Sequence, residues 1–107
     1  PGETLEQGAI RETREETAYT FSPHWLQGIY SWHHPRKDIT YLRFAFSGAV
    51  GAYDPQQALD DGIVRAIWMR VEEIRATQAR HRSPLVMQCV EDHLAGKRYP
   101  LDLITHR

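Results

Sequence analysis

The strongest constraint on folding sits at the start of the chain, in E-T-L-E-Q-G-A-I-R-E-T-R-E-E-T at residues 3–17. Residues 3–16 hold five glutamates and two arginines, a local formal charge of −3 in a protein whose total is −1. Thr4 and Gln7 have the spacing of a capping box, which predicts a helix running to about Thr17. Leu5, Ala9, Ile10 and Thr13 supply its less polar side. On that helix Glu12 lies three and four residues ahead of Glu15 and Glu16, so the three carboxylates share a face. Like charges at those spacings cost a few tenths of a kcal/mol per pair. Arg11 can pair forward with Glu15 and relieve part of this, but it cannot neutralise the rest. Spacing alone favours a solvated acidic face with ordinary ion pairs. The competing reading is a site for a hard divalent cation such as Mg²⁺ or Mn²⁺.

The rest of the chain reads as alternating elements in one domain, residues 1–107. At 41% hydrophobic content there is room for a single modest core. Thirteen Lys and Arg against fourteen Asp and Glu produce no broad field toward a nucleic-acid polymer or a charged membrane. The single Cys89 permits no internal disulfide and no cysteine-based metal cluster. No run is long and apolar enough to span a membrane, and no signal peptide is recognisable, so the expected location is the cytoplasm. P-G at the start reads as a turn. After a break at F-S-P, W-L-Q-G-I-Y-S-W reads as a strand over 25–32. H-H-P-R-K-D is a polar turn, and I-T-Y-L-R-F-A-F is the clearest strand, over 39–46. Residues 47–61 read mostly as loop, with the strand able to run in. I-V-R-A-I-W-M-R at 63–70 alternates as a third strand. V-E-E-I begins a short helix, and a helix over 83–94 has Pro84 in its first turn and ends at Gly96.

The residues flanking the glutamates change the balance between the two readings. Taken as one unit, Glu3, seven residues, Arg11-Glu12, a small residue, any residue, Glu15-Glu16, any residue, a small and then an apolar residue closely resembles the box of the Nudix hydrolases. The runs W-H-H-P-R-K-D-I-T-Y-L-R-F-A-F, D-D-G-I-V-R-A-I-W and R-S-P-L-V-M-Q-C-V-E-D-H-L-A-G-K-R-Y-P-L-D-L-I look like the NudJ phosphatase group of that family. The resemblance implies an α/β/α sandwich with a mixed sheet. It also implies strands and a Gly-Gly loop upstream of Pro1, where the sequence begins inside the box, so the N-terminal strands are expected to be missing or replaced. Ala18 stands where the family has Gly after the helix. A left-handed backbone there would cost Ala about 1–2 kcal/mol.

Position by position, the resemblance implies Glu12, Glu15 and Glu16 as metal ligands, Glu3 as support for the helix start and the metal shell, and Arg11 as the group that orients the neighbouring carboxylate. The implied cofactor is Mg²⁺, with Mn²⁺ as an alternative. Cleaving a phosphoanhydride requires neutralised phosphate charge and a water that loses a proton, which divalent ions and a nearby carboxylate can provide. Glu15 is the favoured base. Asp60 or Asp61 can instead complete the metal shell or act as base, and an ordinary Asp-Asp-Gly turn explains them equally well. Trp32 can stack on a substrate ring or pack at the sheet edge. Arg43, inside an apolar strand, can meet a phosphate or pair with a glutamate of the helix. His33 and His34 are expected in loop hydrogen bonds, Trp68 in packing, and Arg82, Lys97 and Arg98 on the surface or against phosphate. Arg14 is expected to face solvent without a role. The implied substrates are nucleoside tri- and diphosphates and hydroxymethylpyrimidine diphosphate, with orthophosphate released by a monomer or homodimer. The alternatives are an ADP-ribose or dinucleotide pyrophosphatase and a non-catalytic binding domain of the same fold.

Overall fold

The computed structural model describes residues 2–63 and 65–107. Helix α1 spans Leu5–Thr17 and starts as the sequence predicts. The Gln7 N–H donates to the Thr4 hydroxyl at 3.1 Å and the Thr4 N–H to the Gln7 amide oxygen at 2.9 Å, so two otherwise orphaned donors are satisfied. The helix ends at Ala18, which adopts φ 65°, ψ 11° and donates its N–H to the Arg14 carbonyl at 2.9 Å. The left-handed conformation associated with glycine is therefore kept by an alanine.

Two long strands follow, β1 over Tyr19–His34 and β2 over Ile39–Tyr53, paired antiparallel. Both exceed their predicted lengths. Pro23 does not break β1 because the register shifts between Pro23 and Trp25, and a bulge accommodates a residue without an N–H. Opposite it stands Gly48, where any Cβ would run into the Ser22 carbonyl and the Pro23 backbone. Beyond Gly48 the pairing carries β2 through residues expected to be loop, as far as Tyr53 opposite Tyr19.

Of the expected mixed sheet, the described residues form this one antiparallel pair. The third strand expected over 63–70 is not formed among them; Val64 lies outside the described residues. Alternation supplies a strand with two faces, but a ladder also needs partner backbone groups brought within hydrogen-bond reach. Residues 65–68 lie instead by the C-terminal end of α1, lining a cavity with Thr13, Thr17, Ala18 and Tyr19. Trp68, expected in packing, is 72% exposed, with its indole N–H donating to the Tyr19 hydroxyl at 3.2 Å.

The C-terminal third docks on β1. Helix α2 covers Val71–Ala76 and α3 covers Leu85–Leu94, the latter capped by Pro84 one residue before its first turn. Leu26 and Tyr99 exchange backbone hydrogen bonds of 2.8 Å in both directions, which clasps the tail to the middle of β1. Leu26 is 1% exposed and forms the core with Leu85, Met87 and Ala18. No residue of α1 is fully buried; of its predicted less polar side Ala9 and Thr13 are half-buried and Leu5 and Ile10 exposed.

Candidate active site

Arg11 organises the carboxylates of α1. Its Nε and Nη2 grip both oxygens of Glu3, at 2.9 and 3.0 Å, while Nη1 reaches both oxygens of Glu15 at 3.2 Å. Glu12 lies 3.7 Å from the same guanidinium. The two-pronged pair explains why the Glu3 carboxyl is held below the usual carboxylate range, and the paired carboxylates raise the Arg11 value still further. The predicted Arg11–Glu15 pair is present, and Glu3 is brought across eight positions to the same cation.

These side chains offer hard oxygen donors from one capped helix and the residue before its cap, and three of them already converge on one positive group. That donor chemistry fits Mg²⁺ or Mn²⁺. Glu12 and Glu16 are exposed, while oxygens of Glu3 and Glu15 are engaged by Arg11. In this arrangement no group of three or more His, Cys, Asp or Glu is drawn tightly enough to hold a metal ion, among the described residues.

A loop brings the second acidic pair to the helix. The Asp60 N–H donates to the Glu15 carbonyl at 3.0 Å, and the Asp54 N–H to the Ala18 carbonyl at 2.9 Å. Asp60 and Asp61 are exposed, and neither carboxylate has a hydrogen-bond partner among the described residues. Arg14 is exposed, as expected, but it also reaches across to this loop. Its Nη2 lies 3.1 Å from Asp54 Oδ2, and its Nε donates to the Gln57 amide oxygen at 3.1 Å. Sequence reasoning missed this contact because its partners lie forty and more positions apart.

The expected substrate contacts lie elsewhere on the hairpin. Trp32 is half-buried, stacks on Tyr41 with ring centres 6.0 Å apart, and borders a cavity of about 310 Å³ with His81, Arg82 and Ser83. Arg43 stands opposite Tyr30, exposed, with its charge felt by the Cys89 thiol. It makes no ion pair with a glutamate of α1 among the described residues, so of the two expected roles the helix pairing is not realised. His34 accepts the Arg36 N–H in the turn as expected, whereas the His33 ring meets the Thr40 hydroxyl across the paired strand ends. Lys97 pairs with Asp92 at 3.4 Å.

A capped helix carrying Arg-Glu-x-x-Glu-Glu, with Glu3 pinned back onto its arginine, marks a specific family. The NUDIX domain model matches residues 1–89. The chain belongs to the NUDIX family. It is 37% identical over 103 residues to phosphatase NudJ of Escherichia coli strain K12, and to the same degree to that of Shigella flexneri, covering 95% of this chain. The chain spans 65% of the length of these curated relatives. The solved structure of a NUDIX hydrolase from Nitrosomonas europaea is 55% identical, with a TM-score of 0.97 over 100% of this chain and 72% of that one. The fold is accordingly the α/β fold of this NUDIX hydrolase. No helix among the described residues is long and apolar enough to cross a membrane.

Proposed function

We propose that the complete protein is a divalent-metal-dependent hydrolase of small phosphoanhydrides, acting on nucleoside tri- and diphosphates and on hydroxymethylpyrimidine diphosphate with release of orthophosphate. The observation that carries this reading is the convergence on Arg11 of Glu3, from just before α1, with Glu12 and Glu15 of α1, beside which Glu16 stands. Membership of the family and similarity to phosphatases support it. Cytoplasmic nucleotide pools suit such substrates.

Glu12, Glu15 and Glu16 would hold Mg²⁺ or Mn²⁺, with Glu3 supporting the shell. A bound ion supplies neutralisation of phosphate charge and lowers the pKa of a water. Arg11 orients Glu3 and Glu15, and its two-pronged grip disfavours protonation of Glu3. Glu15, or Asp60 or Asp61 on the adjoining loop, accepts the proton of the attacking water. Trp32 offers a ring face for a base or pyrimidine, and Arg43 a positive charge for a phosphate.

The test uses the complete protein with Mg²⁺ and four substrates: a nucleoside triphosphate, a nucleoside diphosphate, hydroxymethylpyrimidine diphosphate and ADP-ribose. Orthophosphate is expected from the first three, with little cleavage of ADP-ribose. Pyrophosphate as the sole inorganic product from the triphosphate, or preference for ADP-ribose, would reassign the substrate class. Glu16→Gln should lower turnover by roughly 10²-fold or more with the fold intact. Turnover within about threefold of the parent would point to a binding domain instead.

A further inference from the structure

We infer that Arg14 is a positioning residue that straps the 54–60 loop over the C-terminal turn of α1, fixing the Asp60 backbone against the Glu15 carbonyl and so setting where Asp60 and Asp61 stand. A helix end leaves carbonyls without intrahelical partners. In α1 the loop answers two acceptors at that end, the Asp54 N–H on the Ala18 carbonyl and the Asp60 N–H on the Glu15 carbonyl. Between these two anchors the only side chain of α1 that hydrogen-bonds to the loop, among the described residues, is Arg14. It bonds Asp54 and Gln57 with one guanidinium, so the charge fixes both the start and the middle of the loop. The loop is tightened internally as well: Asp54 accepts the Gln56 N–H at 2.9 Å, and the Gln57 amide donates to the Ala58 carbonyl at 3.0 Å. A planar fork with several donors can bind a carboxylate and an amide oxygen together, which a lysine cannot reproduce.

Two arginines of the same helix thus serve different sides of the site. Arg11 gathers the carboxylates that α1 itself carries, whereas Arg14 sets where the second acidic pair is delivered. This inference rests on the hydrolase reading for its catalytic consequence, but the strap is a structural claim that can be tested without activity.

The experiment compares the complete protein with Arg14→Met, Arg14→Lys and the charge-exchanged pair Arg14→Asp with Asp54→Arg. Amide hydrogen exchange is read at Asp54 and Asp60, and steady-state kinetics are read with Mg²⁺ and a nucleoside triphosphate. In Arg14→Met, exchange at both amides should rise at least tenfold while amides in the middle of β1 keep their protection. Its kcat should fall about tenfold or more with KM within threefold of the parent, since displacing a reacting group by an ångström can have effects of this size. Lysine should recover little, and the exchanged pair should recover a large part of both losses. Unchanged exchange at Asp60 in Arg14→Met would overturn the strap, whatever the kinetics show. Raised exchange with kcat within twofold of the parent would overturn the positioning role. If the parent shows no metal-dependent turnover at all, the hydrolase reading fails separately, and the exchange result alone decides the strap.

Discussion

Arg11 holds Glu3 in a two-pronged ion pair, Nε and Nη2 each on a separate carboxylate oxygen at 2.9 and 3.0 Å, across eight residues of sequence. The pair joins the segment before the helix to its middle turn, so the orientation of Glu15 depends on a residue outside α1. Lysine at position 11 can neutralise one carboxylate but cannot present the same fork. Arg11→Lys should therefore lower turnover about tenfold or more, with a smaller effect on thermal stability because the pair is exposed. Kinetics and melts on one preparation separate the two effects. Unchanged turnover would show that the fork is not needed for catalysis.

Ala18 occupies the left-handed region at φ 65° while nearly fully buried. Glycine removes the Cβ penalty at such a position, so Ala18→Gly should stabilise the protein by about 1 kcal/mol. In a domain of this size that raises Tm by roughly 4–8 °C. A lower Tm would mean that contacts of the buried methyl outweigh the backbone strain.

On the other side of the sheet the Tyr30 hydroxyl donates to Asp92 at 2.8 Å, with Gln88 and Lys97 on the other carboxylate oxygen. Burial, together with the neighbouring carboxylate, pushes the Tyr30 phenol up to about 12, while the same hydrogen bond holds Asp92 below the usual carboxylate range. The folded-state value of Asp92 is thus depressed, so its contribution is present above the ordinary aspartate pKa, about 3.9, and is lost as pH falls through the lower folded value. Tyr30→Phe should lower Tm by roughly 4–8 °C at neutral pH, the shift expected when one hydrogen bond of ordinary net strength is lost. The gap in Tm between parent and Asp92→Asn should stay constant from pH 5 to 7 and narrow below about pH 4. A gap that is flat down to pH 2 would remove Asp92 from the acid response.

Metal should stabilise the native state if the α1 carboxylates bind it. At a concentration one hundred times its Kd, Mg²⁺ should add about 2.7 kcal/mol. Chelation should abolish turnover, and added Mg²⁺ or Mn²⁺ should restore it. Full activity in excess chelator would remove the metal from the reaction, and an unchanged melt in saturating Mg²⁺ would remove it from α1.

The sequence by itself determined the parts of this protein that local chemistry decides. The Thr4–Gln7 box starts α1 where expected, Arg11 reaches Glu15 one turn on, and the aromatic and β-branched run at 39–46 lies in a strand. These depend on spacings of a few residues, which a chain carries with it. The family itself was legible in the same helix, because its pattern of Arg and Glu is long and mixed in charge. Tertiary structure alone decided the contacts between distant segments. Residues 65–70 have the alternation of a strand but pair with no strand among the described residues. Exposed Arg14 finds Asp54 and Gln57 only when the loop folds back to it, and Asp92 meets Tyr30 only when α3 docks on β1. A polar side chain's role depends on which partner desolvates or pairs with it, and partners forty or sixty residues away leave no periodic mark in the sequence.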